Sequence, residues 1–289
     1  RATQTALRKF FNGIEHFEGL GLDAAKRDYS WDLPEYHLMA AAAYQQNKFE
    51  ANVELKTRLN EAWNANLDLR PEIAHWVVSS WGGIRGNQHQ TLDIYCSRAS
   101  REDPSTPLSG ISSFSKILAI KDPDKYAIYD ARVAVSLNAI QMIYQVSSGM
   151  AFPYVLGRNR ITGDAASKPP RGFVYREAAK VKNLISAPYY WKRVPRDQAY
   201  ARYLGLLREN ARNIGVPLCH LEMTLFVTHQ RWRAVYFLTL NKRCIHSPVS
   251  CFYGLVNPIP SFCLGMGAGS VQQPDSIKFH QVLTAVLQT

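Results

Sequence analysis

The chain has 289 residues, enough to bury a substantial core as one large domain or two modest ones. A hydrophobic content of 46% and a charged content of 20% are typical of a globular protein and exclude a largely disordered chain. Lysine and arginine outnumber aspartate and glutamate by 34 to 23, and the resulting net charge of +11 favours a polyanionic partner, a nucleic acid ahead of a membrane surface.

The compartment is indicated by the cysteines and by the lack of long apolar runs. Five scattered cysteines, an odd number, do not suggest a disulfide framework and favour a reducing compartment. Glu15, His16 and Glu18 interrupt any apolar signal segment. The longest strongly apolar run, residues 234–240, is too short to span a bilayer. These features predict a soluble cytoplasmic protein that does not enter a membrane.

The first hundred residues are patterned as helices. Apolar residues recur at steps of three and four over residues 49–67, which predicts an amphipathic helix of about five turns. Residues 35–46 include a block of alanines with high helix propensity. A further helix is predicted over residues 71–80, where Gly82 ends it.

An aspartate then closes a short apolar stretch and opens the next helix. Residues 126–133 read Tyr-Ala-Ile-Tyr-Asp-Ala-Arg-Val, and Asp130 is the expected N-cap of a helix that continues to Tyr144. Lys116 lies 14 positions upstream, at the end of a serine-rich turn. An N-cap aspartate stabilises a helix by ~1 kcal/mol, so a purely structural role for Asp130 stays open, as does a solvated surface position for Lys116.

This order of lysine, short helix, apolar stretch and N-capping aspartate, over residues 108–140, resembles the helix-hairpin-helix DNA glycosylase superfamily of the endonuclease III and 8-oxoguanine glycosylase type. The resemblance implies a mainly α-helical, multi-helix bundle that binds DNA and excises a base. It implies that Asp130 is the catalytic carboxylate, which stabilises a cation-like transition state. It also implies that Lys116 is the amine that attacks the sugar in bifunctional members.

The hairpin of that family reads roughly Pro-Gly-Val-Gly-x-Lys, and its glycines bring backbone amides close to a DNA phosphate. In this chain residues 111–116 read Ile-Ser-Ser-Phe-Ser-Lys and retain neither glycine, with Gly110 alone nearby. The hydroxyl groups of three serines are therefore the candidate phosphate donors of the hairpin: Ser112, Ser113 and Ser115.

A basic segment, residues 156–215, carries 13 lysines and arginines against four acids. Aromatic residues are interleaved with these cations, among them Tyr190, Tyr200 and Tyr203. Such a composition is typical of a surface that neutralises phosphates and stacks on bases. The candidate contacts are Arg158, Arg160, Arg171, Lys192 and Arg193. The alternative is a solvated basic face whose tyrosines pack inward.

Other candidates have weaker signals. Glu222, an acid within an apolar segment, is either a second catalytic carboxylate or, the favoured interpretation, the partner of a buried arginine. Trp81, His89 and Tyr95 are candidates for an aromatic wall around a flipped base, with core packing as the alternative for the tryptophan.

The sequence predicts no metal and no cofactor. Only three cysteines, Cys244, Cys251 and Cys263, are near one another, whereas an iron–sulfur cluster needs four at suitable spacing. A phosphate-binding loop with its lysine and a dinucleotide-binding glycine signature after a strand are both missing from the sequence.

The predicted organisation is a helical domain over residues 1–230 and an irregular C-terminal tail over residues 231–289. The tail has one acid, Asp275, and five basic residues, and it has no helical pattern. The leading hypothesis for function is a DNA glycosylase that also has possible lyase activity. Two alternatives stay open: a non-catalytic nucleic-acid-binding module on a similar scaffold, and an enzyme that acts on another polyanion.

Overall fold

A computed structural model describes residues 1–13, 21–36, 47–155 and 180–228, all of which belong to one compact unit. The described helices are α1 (Ala2–Phe11), α2 (Leu22–Asp28), α3 (Lys48–Ala65), α4 (Arg70–Trp76), α5 (His89–Ala99), α6 (Ile111–Lys121), α7 (Ala131–Ile143), α8 (Val181–Leu184), α9 (Ala199–Ile214) and α10 (Leu218–Thr228). The prediction of a mainly α-helical protein is confirmed.

Sheet structure in the described ranges is limited to two short strands. Strand β1 (Met150–Ala151) pairs in parallel with β2 (Lys192–Arg193), and Met150 lies opposite Lys192 in the register. This pairing joins the segment after α7 to the segment before α9, and it therefore fixes part of the basic segment to the core.

Capping residues mark the ends of three helices, and the amphipathic helix predicted over residues 49–67 is observed as α3, Lys48–Ala65. Helix α3 begins after Asn47, whose side chain accepts a hydrogen bond from the Phe49 amide at 2.8 Å. Helix α9 ends at Gly215, which adopts a left-handed φ of 76° before Pro217 blocks continuation. Helix α7 begins after Asp130, as the sequence predicted.

Helix α4 does not stop at its last regular turn. Residues Val77–Trp81 continue it as a π-helical turn, in which the Gly82 amide donates to the Val77 carbonyl at 2.9 Å. A π turn widens the helix and commonly lies next to functional groups. Here it brings Gly82 against the side chain of Lys116.

The core lies around α6, α7 and α10, whose residues are almost all buried. Helix α10 packs against α2, α3, α7 and α9, and α6 packs against α3, α5 and the π turn. Helices that are buried on every side have no amphipathic stripe, because no face meets water. No helix among the described residues has the length and apolar character needed to cross a bilayer.

Several predicted features lie outside the described residues. They are most of the helix predicted over residues 35–46, the first part of the basic segment with Arg158, Arg160 and Arg171, and the tail over residues 231–289 with Cys244, Cys251 and Cys263.

Candidate active site

Asp130 caps helix α7 through one of its two carboxylate oxygens. Its Oδ1 accepts hydrogen bonds from the Arg132 amide at 2.9 Å and from the Val133 amide at 3.0 Å. Its Oδ2 accepts no hydrogen bond from the described part of the chain, and the residue is half-buried. The capping bonds therefore orient the carboxylate and leave one oxygen for another partner.

Two buried tyrosines hold the strand-like segment that leads to Asp130. Tyr200 Oη donates to the Ala127 carbonyl at 2.9 Å, and Tyr203 Oη donates to the Ile128 carbonyl at 2.8 Å. Burial raises the pKa of both phenols, so they stay neutral donors. Both residues are almost inaccessible, at 1% and 0% exposure. The interpretation of these tyrosines as base-stacking residues is therefore wrong.

Ser115 joins the lysine helix to this segment. It is fully buried, and its Oγ accepts a hydrogen bond from the Tyr129 amide at 3.0 Å. Ser115 precedes Lys116 and Tyr129 precedes Asp130 in the chain. This bond therefore fixes α6 relative to the start of α7 at the positions next to the two candidate catalytic residues. The predicted contact of Ser115 with a phosphate is corrected, because its hydroxyl is fully inaccessible and is bonded to the Tyr129 amide.

The predicted serine-rich turn before Lys116 is wrong, because Lys116 and all three serines lie within helix α6. The other two serines differ in exposure. Ser113 is buried, and its Oγ accepts a hydrogen bond from Asn87 Nδ2 at 2.9 Å. Ser112 is half-buried and precedes it in the first turn of α6. Gly110 has a left-handed φ of 72°, and a side chain there would collide with the Tyr95 hydroxyl. Ser112 is therefore the most exposed of the three serines, and its contact with a phosphate stays a prediction.

Lys116 is buried, which contradicts its interpretation as a solvated surface charge. Gly82 packs directly against the Lys116 side chain: a Cβ atom added at Gly82 would lie 2.7 Å from Cδ and Cε of Lys116, which is too close. Lys116 is only 6% exposed. Its Nζ donates to the Ser112 carbonyl at 2.9 Å, and within the described ranges it has no ion pair with a carboxylate. Burial of an amine without a counter-ion favours the neutral form.

The charges around Lys116 modify this effect. Burial lowers the pKa of Lys116, the carboxylates of Asp130 and Glu222 oppose that shift, and the cations of Arg132 and Lys56 add to it. The net direction is downward, so the neutral, nucleophilic amine is reached at a lower pH than in an ordinary lysine. Lys116 therefore interacts electrostatically with four other charged groups, and these five groups are here called the charged cluster.

Within this cluster, Lys56 and Glu222 form a buried ion pair. Their side chains are 2% and 3% exposed, and Nζ of Lys56 donates to Oε2 of Glu222. Burial raises the pKa of Glu222, and the ammonium of Lys56 counteracts the rise. The predicted structural role of Glu222 as partner of a buried cation agrees with this contact, with lysine in place of arginine.

Aromatic rings lie close to two cations of the cluster, Lys56 and Arg132, and of these rings only Trp81 was predicted as a site residue. Trp81 is 4% exposed, its Nε1 donates to Asn52 Oδ1 at 2.9 Å, and Lys56 Nζ lies 5.8 Å from its ring. Trp31 Nε1 donates to the Trp81 carbonyl at 3.0 Å. Trp81 is thus a core residue and not an open wall for a base.

Trp31 and Arg132 are site residues that the sequence did not indicate. The Arg132 guanidinium lies 5.2 Å from the Trp31 ring and 4.4 Å from the Phe226 ring. The one available signal was the position of Arg132, two residues after Asp130. The other predicted wall residues lie elsewhere: the Tyr95 ring packs on Phe114, and the His89 ring packs on His75.

The described part of the basic segment contributes Lys192 and Arg193, which are both exposed on strand β2. Neither side chain forms an ion pair or hydrogen bond within the described ranges, so both remain available to a polyanion. Trp191, which directly precedes Lys192 in the chain, is buried, with 3% of its surface exposed.

No group of three or more His, Cys, Asp or Glu side chains in the described ranges is placed to hold a metal ion.

Comparisons of the chain with protein-family models, with curated proteins and with solved structures found no match.

Proposed function

We propose that the protein binds DNA and excises a base as a DNA glycosylase, with Asp130 as the catalytic carboxylate and Lys116 as the nucleophilic amine. The observation that carries this proposal is the state of Lys116: a buried amine without a carboxylate partner among the described residues. The hydrogen bond between Ser115 and Tyr129 fixes the chain next to Lys116 and next to Asp130, whose Oδ2 accepts no hydrogen bond from any described residue.

The carboxylate meets the electrostatic requirement of the reaction. Breaking the bond between a base and deoxyribose builds positive charge on the sugar in the transition state. A fixed negative charge near that carbon stabilises it, and more so in a site shielded from water. The capping bonds to Arg132 and Val133 fix Asp130 before the substrate arrives, so little reorganisation is needed.

The amine meets the nucleophilic requirement. Neutral Lys116 forms a bond from its Nζ to C1′ of the sugar, while the C1′–N bond breaks and its electron pair leaves with the base, which takes up a proton. The C1′–O4′ bond of the sugar ring then breaks, and O4′ keeps the electron pair and takes up the second amine proton. This leaves an imine between Nζ of Lys116 and C1′. A lowered pKa of Lys116 supplies the neutral amine that this step needs.

A second candidate function is a non-catalytic nucleic-acid-binding module. It is favoured by the full use of Asp130 Oδ1 in capping and by a hairpin that has Gly110 but no second glycine. It predicts binding without base release, and one assay separates it from the glycosylase proposal.

That assay incubates the protein with duplexes that each carry one altered base, for example uracil, 8-oxoguanine, thymine glycol or 3-methyladenine. We expect release of at least one of these bases, measured by chromatography, and none from an undamaged duplex of the same sequence. Duplexes that are bound but lose no base would contradict the glycosylase proposal and support the binding module.

A further inference from the structure

The turn that precedes β2 holds a tyrosine in a conformation that is unfavourable for its residue type. Tyr190 has a φ of 51°, in the left-handed region that glycine and asparagine adopt more readily. Its side chain is 72% exposed and makes no hydrogen bond or ring contact with any described residue. Neither burial nor a polar partner therefore explains why a large aromatic residue occupies this position.

The backbone around Tyr190 is firmly held. The amides of Tyr190 and Trp191 donate to the carbonyls of Ser186 and Leu184 at 2.9 and 2.8 Å. Trp191 is buried, and its Nε1 donates to the Val146 carbonyl at 2.8 Å. The strained residue thus stands on an anchored turn, and strain that the surrounding structure maintains is commonly found at functional positions.

The chain segment around this turn carries charges of one sign, up to the exposed acid Asp197 that follows it. Residues 180–196, here called the Tyr190 platform, contain five cations and no aspartate or glutamate. Lys182, Lys192, Arg193 and Arg196 are exposed. An exposed aromatic ring beside unpaired cations fits a strand of nucleic acid, because the ring stacks on a base and the cations neutralise the flanking phosphates.

We infer that Tyr190 stacks on an unpaired base of a single-stranded or locally opened nucleic acid, with Lys192 and Arg193 on the adjoining phosphates. This inference rests on the nucleic-acid partner of the proposed function and not on its chemistry. Stacking requires an exposed base face, so the platform should prefer a single strand to an intact duplex.

The test measures binding by fluorescence anisotropy with a labelled thymidine 15-mer and with a blunt duplex of equal length. Tyr190→Asn should weaken binding of the single strand about tenfold and leave its salt dependence unchanged. Because asparagine tolerates a positive φ, the same variant should not lower the melting temperature. Tyr190→Phe should bind as the unchanged protein does, and so should Leu67→Ala, which alters another exposed apolar residue, 66% accessible.

Replacing the cations should change the salt dependence of binding, which Tyr190→Asn leaves unchanged. Lys192→Ala with Arg193→Ala should lower the slope of log affinity against log salt for the single strand by about 1.4, or about 0.7 for each lost phosphate contact. Unchanged affinity in Tyr190→Asn, or an equal loss for single strand and duplex, would overturn the inference. Tyr190-dependent binding without base release would retain this inference and remove the glycosylase proposal. Base release together with binding that does not depend on Tyr190 would retain the glycosylase proposal and overturn this inference.

Discussion

Asp130→Asn is expected to lower the rate of base release by at least about 100-fold, because the transition state loses its fixed negative charge. The helix should be retained, since asparagine is as good an N-cap as aspartate and can accept the same bonds from the Arg132 and Val133 amides. Single-turnover kinetics on the most reactive duplex of the panel, together with a thermal melt, measure both effects.

Asp122→Asn is the matched control for this variant. Asp122 lies at the end of α6, and its Oδ1 accepts a hydrogen bond from the Lys125 amide at 2.9 Å, so it also has a local capping role. Its replacement should leave base release unchanged. Full activity in Asp130→Asn would remove Asp130 from the mechanism.

Lys56→Met is expected to destabilise the fold by about 3–5 kcal/mol, because it leaves Glu222 buried without its counter-ion. Replacing both partners, as in Lys56→Met with Glu222→Leu, should recover most of this loss, since no charge is then left in the core. Urea denaturation measures both variants.

The stability lost in Lys56→Met should be smaller at low pH than at high pH. Burial raises the pKa of Glu222 in the folded protein, and the Asp130 carboxylate adds to the rise. Without Lys56, only the smaller effect of the Lys116 ammonium opposes this rise. A raised folded-state pKa contributes stability at low pH that is lost as pH rises through it, so the deficit should be smaller at about pH 5 than at about pH 8.

An exposed pair on the same helix is the control for the buried pair. Arg58 and Glu54 also form an ion pair on α3, but their side chains are 34% and 45% exposed. Arg58→Met should therefore cost at most about 0.5 kcal/mol. An equally small loss in Lys56→Met would contradict the buried-pair argument.

The sequence predicts those helices that carry periodicity and caps. Helix α3 has an apolar stripe after Asn47, and α9 ends at Gly215, so both can be read from local pattern. Helix α10 is buried on nearly every side, and its sequence has no period that distinguishes a helix from another apolar segment. The π turn at Val77–Trp81 has no local signal either.

The site is less predictable than the fold, because its contacts join distant parts of the chain. Asp130 is identified as an N-cap from its neighbours alone. That Lys56 pairs with Glu222, 166 positions away, depends on the packing of α3 against α10. Ser115 was interpreted as a phosphate donor, and only the fold shows that its hydroxyl faces the Tyr129 amide.

The most direct measurement of the central claim is borohydride reduction during reaction with a lesion-bearing duplex, which converts an imine between protein and sugar into a stable covalent adduct. We expect a covalent adduct to form at pH values well below the pKa of an ordinary lysine, because burial lowers the pKa of Lys116. The adduct should be lost in Lys116→Met. It should be retained in Lys121→Met, which alters a second lysine of α6, also hydrogen-bonded to a carbonyl. An adduct undiminished in Lys116→Met, or base release without any adduct, would contradict the assignment of Lys116 as the nucleophile.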